Sequence, residues 1–296
     1  MANPSSIFLM LGASFCFACA TILTKSLGTN VFGEGVHPLQ IAHARFFFSF
    51  IFLVSFWYIF KLRLKFLNVK LHLLRSIFGW LGVSILFTSI LYIPVSDATA
   101  LTFLNPIFAM IFAVLIFKEK VGLIRWGAAL FSFSGGLLLL RPSLDLSVDP
   151  IALLCLFGAL IMGLEIICIK ILSGKDSVFT ILILNNFFAM CIGTLVVPFF
   201  FVLPGFLELI VLLTIGIFML TGQFCFINSL KGAETSFLMP FFYTTLIFVI
   251  SLDLIIFNSL PDKISYIGAF IIILGSIIVA FREWRVKLKL SGKNIL

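Results

Sequence analysis

Leu104-Asn105-Pro106 returns in the second half of the chain as Leu238-Met239-Pro240, and thirteen residues after each proline stands an acid, Glu119 and Asp253. Both stretches lie inside apolar runs of membrane-spanning length. Proline lacks a backbone donor and clashes with the turn before it, so soluble helices pay heavily for it. Lipid-embedded bundles tolerate it where neighbours re-satisfy the freed carbonyl. Two apolar helices with proline and a terminal acid in matching places indicate a duplicated chain, and duplication of membrane halves points to transport.

Outward from these two stretches the whole chain reads as membrane. Of 296 residues, 62% are hydrophobic and 11% charged, against about 25% charged in a soluble domain. Windows of about 20 residues give ten segments, near 6–26, 38–60, 72–92, 96–117, 122–140, 150–170, 177–200, 206–229, 233–257 and 263–281. Little chain lies between them, which excludes a sizeable soluble or nucleotide-hydrolysing module. No G-x-x-x-x-G-K-[ST] loop occurs, so any pumping draws on a gradient or an exchanged solute.

The net charge of +8 would suggest nucleic acid in a soluble protein, but its distribution follows the membrane. With the N-terminus inside, cytoplasmic connections hold Lys61, Arg63, Lys65, Lys70 and Arg75, then Lys118, Lys120 and Arg125, then Lys170, Lys175 and Lys231. Arg282, Arg285, Lys287, Lys289 and Lys293 follow at the end. The positive-inside rule therefore sets both termini in the cytoplasm and excludes a nucleic-acid partner. Residues 1–6 carry no Lys or Arg, so the first segment is expected to remain as an uncleaved span.

Five spans per half is an odd number, so the second half enters the bilayer from the opposite side. The expected fold is an all-α polytopic membrane protein of ten transmembrane helices in two inverted five-helix repeats, 1–142 and 149–285, followed by a basic tail, 286–296. Gly12 and Lys25 correspond to Gly158 and Lys170, Trp126-Gly127-Ala128 to Ile267-Gly268-Ala269, and Gly135 to Gly275. Ala128, Ser132 and Gly136, Ser265 with Ala269, and Ala159 with Gly163 have the spacing of close helix packing. In inverted repeats the substrate sits near the midplane.

An ionisable side chain facing lipid costs roughly 2.5–3.5 kcal/mol, so buried charges lead to the site. Glu165, deep in the sixth span, suits a cationic substrate group, a coupling proton or a basic partner. Arg45 in the second span suits a carboxylate or phosphate, or a structural bond to carbonyls or an acid. His43 reads as a packed group, His37 and His72 as loop or boundary residues. Asn105, Asn185, Asn186, Gln223 and Tyr243, with Trp80 and Phe103 as aromatic wall, suit a polar organic molecule better than a bare ion. Glu119 and Asp253 read as gate or structural acids, Lys25 and Lys170 as side chains snorkelling to the interface.

No catalytic residue, cofactor or metal is expected. Cys16-x-x-Cys19 has metal spacing, but no second pair or His completes it. The three histidines form no H-E-x-x-H, which weighs against a membrane-embedded enzyme. A non-transporting receptor is the other rival.

From Arg75 to Pro142 the sequence resembles the drug/metabolite transporter superfamily, in its EamA-type ten-helix branch. The resemblance rests on the tract from Tyr92 through Leu104-Asn105-Pro106, then Phe117-Lys118-Glu119-Lys120, Arg125-Trp126-Gly127-Ala128 and Gly135-Gly136. It continues through Gln223, Ala233, Pro240-Phe241-Phe242-Tyr243, Gly268-Ala269 and Arg282-Glu283. It implies a central cavity, alternating access and a bacterial inner membrane. The nearest look is to the branch with S-adenosylmethionine uptake carriers, while relatives also export amino acids or import riboflavin. The implied partners are a small-molecule substrate, a coupling proton or exchanged solute, and the bilayer; a homodimer is compatible with it. The first span has Phe15 and Phe17 where the family usually has tryptophan, which puts any aromatic contact from there in doubt.

Overall fold

The computed structural model describes residues 4–28, 36–61, 64, 68–89, 92, 101–119, 121–140, 150–257 and 263–290. Its α-helices are α1 (Pro4–Gly28), α2 (Pro38–Phe60), α3 (Val69–Ser89), α4 (Asn105–Phe117), α5 (Leu123–Leu140) and α6 (Pro150–Ser173). They continue with α7 (Val178–Val196), α8 (Phe206–Gly232), α9 (Thr235–Phe242), α10 (Thr244–Phe257) and α11 (Lys263–Leu290). Among the described residues, seven stretches are long and apolar enough to cross a membrane: Ser5–Leu27, Pro38–Phe60, Val69–Leu86, Pro150–Ser173, Val178–Phe199, Phe206–Gly232 and Thr235–Ile256. Asn105–Phe117, Leu123–Leu138 and Tyr266–Gly275 are shorter apolar helices. With α9 and α10 counted as one broken span, these are ten helices among the described residues, and the chain is an all-α polytopic membrane protein. The motif residues 93–100, the link 141–149, residues 291–296 and the side chains of Ser265, Ala269 and Glu283 lie outside the described residues.

Local chemistry sets the helix ends. Pro38 opens α2, where its missing donor costs nothing, and His37 Nδ1 accepts from the Leu39 amide at 3.3 Å. Lys61 and Lys118 end α2 and α4 in the left-handed region, at φ 46° and 53°. Ser177 Oγ caps α7 by accepting from the Thr180 amide at 3.1 Å. The outer surface is itself apolar: Phe8, Leu123, Leu195, Phe206 and Ile255 are exposed, which suits contact with lipid.

The main helix contacts are α1 with α8, α3 with α6, α2 with α7, and α5 with α11. Small residues allow them. A Cβ at Gly135 of α5 would fall 2.7 Å from the Gly268 carbonyl of α11, and one at Gly158 of α6 would fall 2.8 Å from Ile85 of α3.

Both proline-bearing spans are interrupted. A turn at Phe103-Leu104 precedes α4, and a single residue, Tyr243, separates α9 from α10. The two breaks meet, because the fully buried Tyr243 hydroxyl donates to the Phe103 carbonyl at 3.1 Å. Phe103 and Phe133 pack around the Tyr243 ring.

Charged residues tie the helix ends. Lys25 Nζ, at the end of α1, lies 2.6 Å from Asp253 Oδ1 on α10. Lys170, near the end of α6, donates to the Leu230 and Ala233 carbonyls at the end of α8. Glu119 accepts from the Thr235 and Ser236 amides at 3.2 and 3.1 Å, capping α9, while Arg125 pairs with Glu234. Snorkelling alone therefore does not describe Lys25 or Lys170: each has a protein partner near its helix end.

Candidate substrate site

Along α3, residues His72, Arg75, Ser76, Gly79 and Trp80 follow each other at steps that share one helix face. That face receives Glu165 from α6. Gly79 makes the approach possible, since a Cβ there would fall 2.7 Å from Glu165 Oε1. Arg75 Nη2 lies 3.9 Å from the same oxygen, with the two side chains 1% and 16% exposed. Arg75 Nη1 donates to the Ile181 carbonyl of α7 at 3.4 Å.

Arg45 of α2 completes a charged triad, with its field and that of Arg75 both acting on Glu165. Its Nη1 lies 3.8 Å from Met219 Sδ on α8, and its Cζ sits 4.3 Å over the Phe46 ring. On another face of α2, His43 approaches α7 at Gly193, as does Trp80 of α3. A Cβ on Gly193 would come within 2.6 Å of His43 Nδ1 and 3.3 Å of Trp80 Nε1. Several buried polar atoms have no hydrogen-bond partner: His43 Nδ1, Arg45 Nε, Gln223 Oε1 on α8 and Asn105 Oδ1 on α4. Buried polar groups are normally satisfied.

The other expected site residues are held differently. Asn185 Oδ1 lies 3.2 Å from Ser76 Oγ, and Asn186 donates to its own helix at Leu182. Phe103 and Tyr243 belong to the meeting of the broken helices, and Glu119 and Asp253 to the helix ends.

Two residues differ from their reading in the sequence. Arg75 was expected in a cytoplasmic connection, but α3 begins at Val69 and buries it completely against Glu165. His72, read as a loop or boundary residue, is also fully buried, with Nε2 2.8 Å from Asp176 Oδ2. The usable signal was the polar stripe 72, 75, 76, 79 and 80, which repeats with helical period inside an otherwise apolar run.

Replacing Arg75 by Leu strands the Glu165 carboxylate, which should cost about 3–5 kcal/mol. The double variant Arg75→Leu/Glu165→Leu removes both charges and should recover most of that loss. Unfolding midpoints of the two variants in detergent check this; equal losses in single and double would mean the pair is not coupled.

A helical membrane bundle with opposed charges and unpartnered amides inside it has the makeup of a carrier for a polar solute. Among the described residues no cluster of His, Cys, Asp and Glu could hold a metal. Comparison gives the family: residues 4–141 and 149–281 match the EamA-like transporter family, and the chain belongs to it. It is 27% identical to the S-adenosylmethionine uptake transporter of Rickettsia prowazekii, over 94% of this chain and 95% of that protein. It is 28% identical to the riboflavin transporter of Vibrio cholerae, over 76% and 75%. It is 25% identical to the pseudopaline exporter CntI of Pseudomonas aeruginosa, over 92% and 95%. A solved crystal structure superposes with a TM-score of 0.82 over 96% of this chain and 99% of that one, at 14% identity, a likeness of fold. The protein is thus a multi-pass secondary transporter of the bacterial inner membrane for a small polar metabolite, and not an enzyme.

Proposed function

We propose that the chain takes up S-adenosylmethionine by alternating access between two inverted five-helix repeats, 1–142 and 149–285, with both termini and the tail 286–296 cytoplasmic. The observation that carries the reading is the convergence of Glu165, Arg75 and Arg45 inside an apolar bundle. Such charges are expensive within a membrane and mark a solute path.

The repeat is supported by the helix contacts, which come in pairs. α1 on α8 is the counterpart of α6 on α3, and α4 on α6 is the counterpart of α1 on α10. The family matches twice, once in each half. The ends of the bundle repeat as well: Lys25 meets Asp253 at one, and their counterparts Lys170 and Glu119 interact at the other. These two clusters are the gates of the cycle. Broken helices at Phe103-Leu104 and Tyr243 supply the irregular backbone that carriers use near their sites.

S-adenosylmethionine presents two cationic centres, a carboxylate and a heteroaromatic base. Glu165 meets a cationic centre or carries the coupling proton, Trp80 offers a face to the base, and Gln223 and Asn105 offer unsatisfied amides. Relatives with uptake of this substrate cover nearly the whole chain. Export of an amino acid or another metabolite is the second reading, favoured by the similarity to CntI.

Uptake of labelled S-adenosylmethionine into proteoliposomes, with and without the unlabelled compound inside, tests the reading. Saturable uptake that is stimulated from the opposite side is expected. Its absence in a folded, inserted preparation would overturn the substrate and leave the carrier.

A further inference from the structure

Arg45 is the cation of this site with no anion of its own. Among the described residues no carboxylate lies within ion-pair distance of it, and Glu165, the nearest acid in its field, is contacted by Arg75. Nη1 is turned to Met219 Sδ and the ring of Phe46 lies against Cζ. On the edge of the guanidinium away from Nη1, Nε is buried and donates to no partner. That edge is a planar two-donor fork, which matches the two oxygens of a carboxylate. A half-buried guanidinium whose buried Nε has no partner is an incomplete site.

The charge balance points the same way. Two guanidiniums and one carboxylate leave the triad with an excess positive charge. A purely cationic ligand adds to that excess. A ligand that brings a carboxylate to Arg45 cancels it and leaves its own ammonium free for Glu165.

We propose that Arg45 is the carboxylate receptor, so that the substrate class is a zwitterion whose carboxylate is obligatory for binding. The proposal rests on the carrier reading but not on adenosylmethionine as the solute. It sharpens what that reading permits: an adenosyl sulfonium amine without the carboxylate is rejected although its cationic groups are intact.

The test is binding to the full chain in nanodiscs, measured by calorimetry with matched ligands. One pair is S-adenosylmethionine and its decarboxylated analogue; further pairs are methionine, glutamate and histidine with their amides. The carboxylate member should bind roughly 10- to 100-fold more tightly, as expected for a charge-assisted fork. Arg45→Gln should erase that preference, and Arg45→Lys should restore part of it. The ligand pairs need no variant, so a misfolded Arg45→Gln protein leaves the test intact. No binding of S-adenosylmethionine together with a carboxylate preference in another pair would uphold the receptor and remove the adenosylmethionine reading. Wild-type protein that binds no carboxylate ligand better than its partner overturns the proposal. Binding that follows chloride in the buffer and ignores the carboxylate overturns it too, by assigning Arg45 to an inorganic anion.

Discussion

Glu165→Gln abolishes gradient-driven accumulation of substrate in proteoliposomes while the protein still inserts and folds. Glutamine keeps the shape of the side chain against Gly79, where the contact leaves no room for a bulkier group. What it removes is the negative charge that Arg75 and Arg45 share. Two guanidiniums then face each other's field without compensation, and a coupling proton or a substrate cation loses its receptor. Some loss of thermal stability accompanies this, but Gln Oε1 still accepts hydrogen bonds, so the helices persist. Counterflow separates the two roles of Glu165. If it carries the coupling proton, accumulation is lost but exchange of labelled for unlabelled solute survives. If it meets the substrate, both are lost. Full accumulation by the glutamine variant would remove Glu165 from the mechanism.

How much of this could be read from residue order follows from the physics of each signal. Spans were legible because lipid and water demand opposite compositions over about 20 residues, and Pro106 and Pro240 were legible as paired landmarks. Glu165 stood out because its neighbours are apolar. Arg75 did not, because it closes a run of basic residues from Lys61 that looks like a membrane-edge cluster. Only the start of α3 at Val69 shows that it lies within the helix. His72 was hidden for the same reason, and its partner Asp176 is far along the chain. Tyr243 was read as a polar site group and Phe103 as aromatic wall, but their contact depends on two broken helices from different halves meeting. Periodicity along one helix reports which face is apolar or polar. It does not report that the polar face of α3 meets α6, which is set by packing between distant segments such as Gly158 against Ile85.

A short, thiol-cleavable crosslink between cysteines placed at 25 and 253, with the six native cysteines replaced, should stop net flux and release it on cleavage. Lys25 and Asp253 join α1 to α10 at one end of the bundle, so a covalent bond there fixes the first half to the second. The native ion pair is no such lock. Its side chains are 48% and 23% exposed, and an exposed pair of this kind contributes about 0–1 kcal/mol, which thermal motion overcomes readily. At the opposite end Lys170 bonds two carbonyls of α8, Glu119 two amides of α9, and Arg125 pairs with Glu234. Alternating access requires one end to loosen when the other tightens. Residual transport should therefore equal the uncrosslinked fraction, while binding from the open side persists. Undiminished transport in a fully crosslinked sample would mean that the solute crosses without these ends parting, which would make the bundle a channel and not an alternating carrier.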